Sequence, residues 1–146
     1  MTFSGNNGYE DTVPFLGMQK RKFDEKNRLV LPSKFLSKEL EPESHLYILM
    51  QKDKKSLPYL YATSLSNLEK ELSIRKISFE DISPILEHTK IDSAKRVILN
   101  NILMDYIGAY GQESNDLWLF GKKTHFSIYS LENGQKCIYD LQRCML

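Results

Sequence analysis

One stretch of this chain occurs twice: Asp24-Glu-Lys-Asn-Arg28-Leu-Val-Leu-Pro32 and Asp92-Ser-Ala-Lys-Arg96-Val-Ile-Leu-Asn100. Each copy has an apolar residue before the Asp (Phe23, Ile91), an Arg four positions after it, an aliphatic triplet, and a further apolar residue (Phe35, Leu103) three past the Pro or Asn. A repeat at so long a period constrains the fold as a whole, because each copy must be a supersecondary unit that closes its apolar face against the other.

Each copy reads as strand, tight turn, strand. Asp accepts hydrogen bonds from backbone N–H groups two residues on and so starts turns, and Asn27 tolerates the left-handed conformation that a sharp reversal demands. Leu29-Val30-Leu31 and Val97-Ile98-Leu99 are short aliphatic runs suited to buried strands. Pro32 stops the first. Ser33, Ser37 and Asn100 offer caps for short helices, predicted over 33–40 and 100–110. The correspondence continues: Leu46-Tyr-Ile-Leu49 and Leu117-Trp-Leu-Phe120 are matching strands, each followed by a basic turn (Lys52-Asp-Lys-Lys55; Lys122-Lys123) and a further strand at Tyr59–Thr63 or Phe126–Ser130. Each half is therefore expected to be ββαββ.

Phe15-Leu-Gly17, the Asp-x-x-x-Arg-aliphatic-x-aliphatic-Pro motif, its degenerate second copy, and Gly121 followed by Phe126-x-Ile128-Tyr129 together resemble the MraZ family across residues 15–131. That resemblance implies an α+β, mostly β fold: tandem pseudo-twofold ββαββ repeats forming an AbrB/MraZ-like swapped-hairpin barrel with a helical connector between the halves. It implies residues 1–14 as a flexible extension, 15–63 and 87–130 as the two repeats, 64–86 as the connector and 131–146 as a tail. It further implies a bacterial transcription regulator that assembles into rings and binds direct repeats in double-stranded DNA. The chain departs from the family pattern in having Asn27 and Lys95 where Gly usually precedes the motif Arg. Lys carries a steric cost in a left-handed turn, so the second turn is expected to be distorted. Asn100 replaces the second Pro, Tyr129 stands where Trp is usual, and the connector is short: one helix over 64–76 and room for a brief second one over 78–87, limited by Pro84.

Net charge is only +1, but its distribution is uneven. From Met18 to Lys38 seven basic residues (Lys20, Arg21, Lys22, Lys26, Arg28, Lys34, Lys38) face two acidic ones, Asp24 and Glu25. Such local excess on a hairpin is the footprint phosphate binding requires. Lys22, Lys26, Asn27 and Arg28, with Lys95 and Arg96 in the second copy, are the candidate DNA contacts, since guanidinium bonds phosphate or guanine in pairs and Lys supplies a point charge. Asp24 and Asp92 are expected to shape the turns. An alternative role for Arg28 is a buried salt bridge to Asp24 or Asp92 that pins the hairpin.

With 41% hydrophobic content over 146 residues, the chain can bury a sizeable core, and no segment reads as a membrane span or signal peptide. A cytoplasmic, nucleoid-associated protein is expected, without membrane or small-molecule partners. Cys137 and Cys144 give no disulfide framework; His45, His88 and His125 stand singly, as loop or strand-end residues. No nucleophile–base pair, phosphate loop or metal set is visible, so neither catalysis nor a cofactor is expected. The aromatic series Tyr47, Tyr59, Tyr61, Trp118, Phe120, Phe126 and Tyr129 falls in predicted strands and suits packing. Two other readings stay open: a duplicated barrel acting as a protein-interaction or structural module, and an antitoxin-like relative whose tail holds a partner.

Overall fold

The computed structural model describes residues 15–37 and 40–144, the side chain of Cys144 excepted. The expected N-terminal extension at 1–14 and Lys38 lie outside the described residues. The protein is α+β and mostly strands: β1 (Met18–Lys22), β2 (Arg28–Val30), β3 (His45–Lys52), β4 (Pro58–Thr63), α1 (Leu65–Arg75), α2 (Phe79–Ile82), β5 (Leu86–Lys90), β6 (Arg96–Ile98), α3 (Asn101–Tyr106), β7 (Asp116–Gly121), β8 (Phe126–Ser130) and α4 (Leu131–Cys144). Six strands form one antiparallel sheet in the order β1-β7-β8-β4-β3-β5, and β2 pairs with β6 as a separate two-stranded ribbon.

Period-two alternation decides which side of the large sheet each residue covers. Leu46 and Ile48, Leu60 and Ala62, Leu117 and Leu119, and Phe126 and Ile128 join the main core with Leu29, Leu31, Phe35, Val97 and Leu99. The alternate residues pack under helices. Tyr47, Leu49 and Tyr61 meet Leu68 and Leu72 of α1 and Ile82 of α2. Trp118, Phe120, Tyr59 and Tyr129 meet Ile138 of α4. The aromatic strand residues are thus packing elements, as expected: Tyr59 stacks on Tyr129 at 5.2 Å, and Trp118 on Phe120 at 6.0 Å. Leu29 and Val97 face one another at the centre of the ribbon and both are buried. Truncating either would cost about 2–4 kcal/mol.

The connector follows its sequence. Ser64 caps α1 by accepting from the Asn67 N–H, and Lys76 in the left-handed conformation closes it. Ser78 and Asp81 cap α2 reciprocally, and Pro84 falls in a 3₁₀ turn, Ser83–Ile85. Two elements differ from expectation. Among the described residues, a 3₁₀ turn, Ser33–Phe35, stands where a helix to residue 40 was predicted. Phe35 reaches the core within that turn, Leu36 is extended, and the Ser37 N–H turns to the Leu40 carbonyl, so the helical ladder has no continuation. In the second half Asn100 does cap a helix, α3, through the Leu103 N–H at 2.9 Å, although regular helix ends at Tyr106 and a 3₁₀ turn covers Ala109–Gly111. The predicted tail is α4, seated on β7 and β8. Its Gly134 lies so close to the Trp118 ring that a Cβ there would stand 2.5 Å from it, so Gly sets the approach of helix to sheet.

Candidate functional site

Both Asp-x-x-x-Arg motifs close the same five-residue turn. In the first, Asp24 Oδ1 accepts from the Lys26 N–H at 2.9 Å and the Arg28 N–H at 2.8 Å. The Asn27 N–H donates to the Asp24 carbonyl, and the Asp24 N–H to the Arg28 carbonyl. In the second, Asp92 Oδ1 accepts from the Ala94 N–H at 2.9 Å and the Arg96 N–H at 2.8 Å, with the same two backbone bonds at Lys95 and Arg96. The fourth residue carries positive φ in each, 61° at Asn27 and 66° at Lys95. The expected distortion of the second turn is therefore absent: Lys adopts the conformation that Asn does, and five hydrogen bonds of the turn hold it there.

The remaining carboxylate oxygen meets the arginine. Arg28 Nε donates to Asp24 Oδ2 at 2.6 Å and Arg96 Nε to Asp92 Oδ2 at 2.8 Å. A salt bridge from Arg28 thus forms, with the partner inside its own turn, but it is not the buried pair weighed as an alternative, since the Asp24 side chain is 39% exposed. Both arginines are about one-third exposed, 33% and 37% by side chain. The Arg28 backbone N–H, ahead of its guanidinium, holds the Asp24 carboxyl below the usual carboxylate range, and Arg96 does the same for Asp92. Each aspartate is therefore charged at neutral pH and fixes one edge of its guanidinium. Among the described residues, Nη1 and Nη2 of both arginines have no hydrogen-bond partner.

The ribbon joins the two turns. Arg28 lies opposite Ile98, and Val30 opposite Arg96, so one face of the ribbon alternates guanidinium and aliphatic side chain. Val30 and Ile98 are 46% and 54% exposed. The Leu99 N–H donates to the Asn27 carbonyl and the Leu31 N–H to the Lys95 carbonyl. Asn27 Nδ2 reaches Asn101 Oδ1 at 2.9 Å, while Lys95 Nζ reaches Ser33 Oγ at 3.2 Å, so each turn is tied to the segment that follows the other.

The candidate contacts divide accordingly. Lys26 is exposed at its turn, Arg28 and Arg96 are oriented by their aspartates, and Asn27 and Lys95 spend their side chains on cross-contacts. Lys22 lies on β1 with its ammonium 3.4 Å from Asp116. Lys20 sits over the Trp118 ring at 5.8 Å.

A third turn has the same construction. Asp53 Oδ1 accepts from the Lys55 and Leu57 N–H groups, each at 2.9 Å; the Ser56 N–H donates to the Asp53 carbonyl, and the Asp53 N–H to the Leu57 carbonyl. Ser56 has φ 64°. Here the fifth residue is Leu57, and Oδ2 accepts instead from the Tyr129 hydroxyl at 2.9 Å, with Cys137 Sγ of α4 3.8 Å away. Burial works to raise Asp53, but the bonds from Leu57, Tyr129 and Lys55 outweigh it and keep the carboxyl low. Burial, reinforced by the bond to Asp53, pushes the Tyr129 hydroxyl up. Burial does the same to the Cys137 thiol. Sequence reading took this segment as a basic turn and missed its kinship with the other two.

Two of the three histidines do not stand singly. His45 on β3 and His88 on β5 bring their Nδ1 atoms to 3.0 Å, whereas His125, in the β7–β8 turn, stacks on Tyr61 with ring centroids 4.0 Å apart. Among the described residues no group of three or more His, Cys, Asp or Glu side chains is placed to hold a metal ion, and no helix is long and apolar enough to cross a membrane. No known protein family model matches the chain, and no curated protein is similar to it.

Proposed function

We propose that this chain is a DNA-binding transcription regulator of the MraZ type, in which the turns at Asp24–Arg28 and Asp92–Arg96 meet the nucleic-acid backbone. The observation that carries the proposal is the doubled Asp–Arg pair. Each carboxylate binds Nε alone, which leaves the paired Nη donors for a phosphate or a guanine edge at a preset angle. A two-stranded ribbon carrying two such arginines, with Lys26 beside one, has the width that the major groove admits. Val30 and Ile98 between the arginines suit apolar contact with thymine methyl groups.

The strand pairing supports a duplicated swapped-hairpin unit. β1 pairs with β7 of the other half, β5 pairs with β3 of the other half, and β4–β8 and β2–β6 are the central pairs. Exchange of the halves leaves that order unchanged. The proposal includes a ring of several copies, which would set several turns side by side and multiply weak contacts through effective concentration. Ile74, Ile77 and Phe79 on the connector support it, since Ile74 is 75% exposed and the three form an apolar stretch that a second copy would cover. A regulator of this kind would reside on the nucleoid.

The experiment is fluorescence-anisotropy binding to the DNA upstream of the chain's own gene at two salt concentrations. Binding at low salt that weakens steeply as salt rises is expected, because each phosphate contact adds close to one unit to the log–log slope. Failure to bind at low salt would replace the proposal with a protein-interaction module, for which the same connector face is the contact surface.

A further inference from the structure

The strand register places two histidines from distant parts of the chain side by side. Tyr47 of β3 lies opposite His88 of β5, and His45 opposite Lys90, so His45 and His88 are diagonal neighbours on one face of the sheet. Their Nδ1 atoms are 3.0 Å apart, their ring centroids 5.1 Å apart, and both side chains are exposed. The Tyr47 ring lies 5.6 Å from His88 and limits its rotation. The nearest cation along the strand, Lys90, is engaged by Glu43 at 2.7 Å.

A contact of two imidazole Nδ1 atoms at this distance has two chemical meanings. One ring donates its N–H to the lone pair of the other, or both lone pairs turn to a shared cation. For metal–nitrogen bonds of about 2.05 Å, two nitrogens 3.0 Å apart subtend an angle of about 94° at the ion. That is close to the cis angle of octahedral or square-planar coordination, whereas a tetrahedral ion would need about 3.3 Å. The pair is preorganised by a paired antiparallel register, so little backbone rearrangement stands between the hydrogen-bonded and the ligating arrangement.

We propose that His45 and His88 form a cis-bidentate site for a borderline divalent transition ion of octahedral or square-planar preference, with Ni²⁺ as the type. Binding takes both Nδ1 lone pairs, so the ring that donated its Nδ1–H carries its proton on Nε2 instead, by exchange through solvent, and both ligands stay neutral; water fills the other positions, since no third protein donor lies with the pair among the described residues. β5 is an edge strand of the six-stranded sheet, laddered to β3 and touched by β6 through the Thr89 hydroxyl, which accepts from the Ile98 N–H at 3.3 Å, and it runs through Ile91 into the turn at Asp92. An ion held across β3 and β5 therefore ties down the strand that feeds the second arginine turn. The site stands on the histidine geometry and is independent of whether the chain binds DNA.

The test is titration of the tag-free chain with NiCl₂, read by NMR of the imidazole Hε1 signals assigned through bonds on the wild type. Ni²⁺ should broaden the His45 and His88 signals at one ion per chain, leave His125 sharp, and be reversed by EDTA. His45→Gln and His88→Gln should each weaken the calorimetrically measured affinity by about tenfold or more, since affinity follows the number of ligands. Three sharp signals, broadening centred on His125, or wild-type affinity in both variants would overturn the site. Should either variant fail to fold, the wild-type broadening pattern decides alone.

Discussion

The turns at Asp24 and Asp92 and the turn at Asp53 share one hydrogen-bond diagram and differ in what meets the outer carboxylate oxygen. At Asp24 and Asp92 the fifth residue is Arg, whose Nε closes the pair inside the turn; the assembly is self-contained and faces solvent. At Asp53 the fifth residue is Leu57, which packs beside the Phe120–Tyr129–Ile138 cluster, and the oxygen is taken by Tyr129 from another strand. One scaffold thus serves two ends. The backbone needs only an Asp, a residue that accepts positive φ three positions later, and a following strand. Whether the turn presents a cation or anchors a layer is decided by the fifth side chain.

That contrast predicts a ranking of effects. Asp53→Ala should be the most destabilising, because it uncaps two backbone N–H groups and strands the Tyr129 hydroxyl in the packed layer under α4. A loss on the order of 3 kcal/mol in urea unfolding is expected. A loss below about 0.5 kcal/mol would mean the inward turn anchors nothing.

The covered side of the sheet also holds His125, whose imidazole is pushed down to about 4, by burial first and by the Lys122 charge second. The unfolded chain takes up its proton near pH 6.5, the folded chain not until about pH 4. Stability from this group is therefore complete above pH 6.5, falls as pH drops from 6.5 to 4, and levels below. Discounted for screening of a ring that is partly open to solvent, the fall should amount to about 2–3 kcal/mol. Denaturant midpoints at several pH values should show it, and His125→Phe should flatten that segment. A pH-independent wild type would contradict the burial of this ring.

Tyr129→Phe removes one donor and keeps the turn, so about 1 kcal/mol should be lost, with β3–β4 pairing intact. Smallest on stability is Arg28→Ala with Arg96→Ala: exposed pairs contribute little to folding, and the melting midpoint should move less than for Tyr129→Phe. A larger shift than that would make the outward turns structural, erasing the difference between the two kinds.

The two arginine turns were legible in the sequence because the Asp, the left-handed residue and the Arg recur at fixed spacing beside alternating apolar strands. The connector was legible through Ser64 and Ser78, each of which caps its helix. The Asp53 turn was not, since Leu57 offers no charge to pair with the aspartate and Ser56 gives weak warning of positive φ. Asp with a polar residue three positions on and a strand starting at the fourth or fifth would have been the signal. The Ser33 segment misled for a related reason: capping residues start a helix only if the chain can continue it, and the burial of Phe35 ends the turn at once. The β3–β5 register could not be read from sequence spacing alone, so His45 and His88 looked solitary although pairing sets them together. The seating of α4 was not legible, since nothing in sequence links Cys137 to Asp53.

The central claim is that the outward turns contact nucleic acid while the inward turn does not. It is tested most directly by anisotropy titration of upstream DNA against three proteins, wild type, Lys26→Ala/Arg28→Ala and Tyr129→Phe, each across a salt series. The account predicts that the double variant loses at least about 100-fold in affinity at low salt and shows a flatter log–log salt slope, while Tyr129→Phe binds as the wild type does. Wild-type affinity and slope in the Lys26/Arg28 variant would contradict it and leave the likeness to MraZ as one of sequence motif alone.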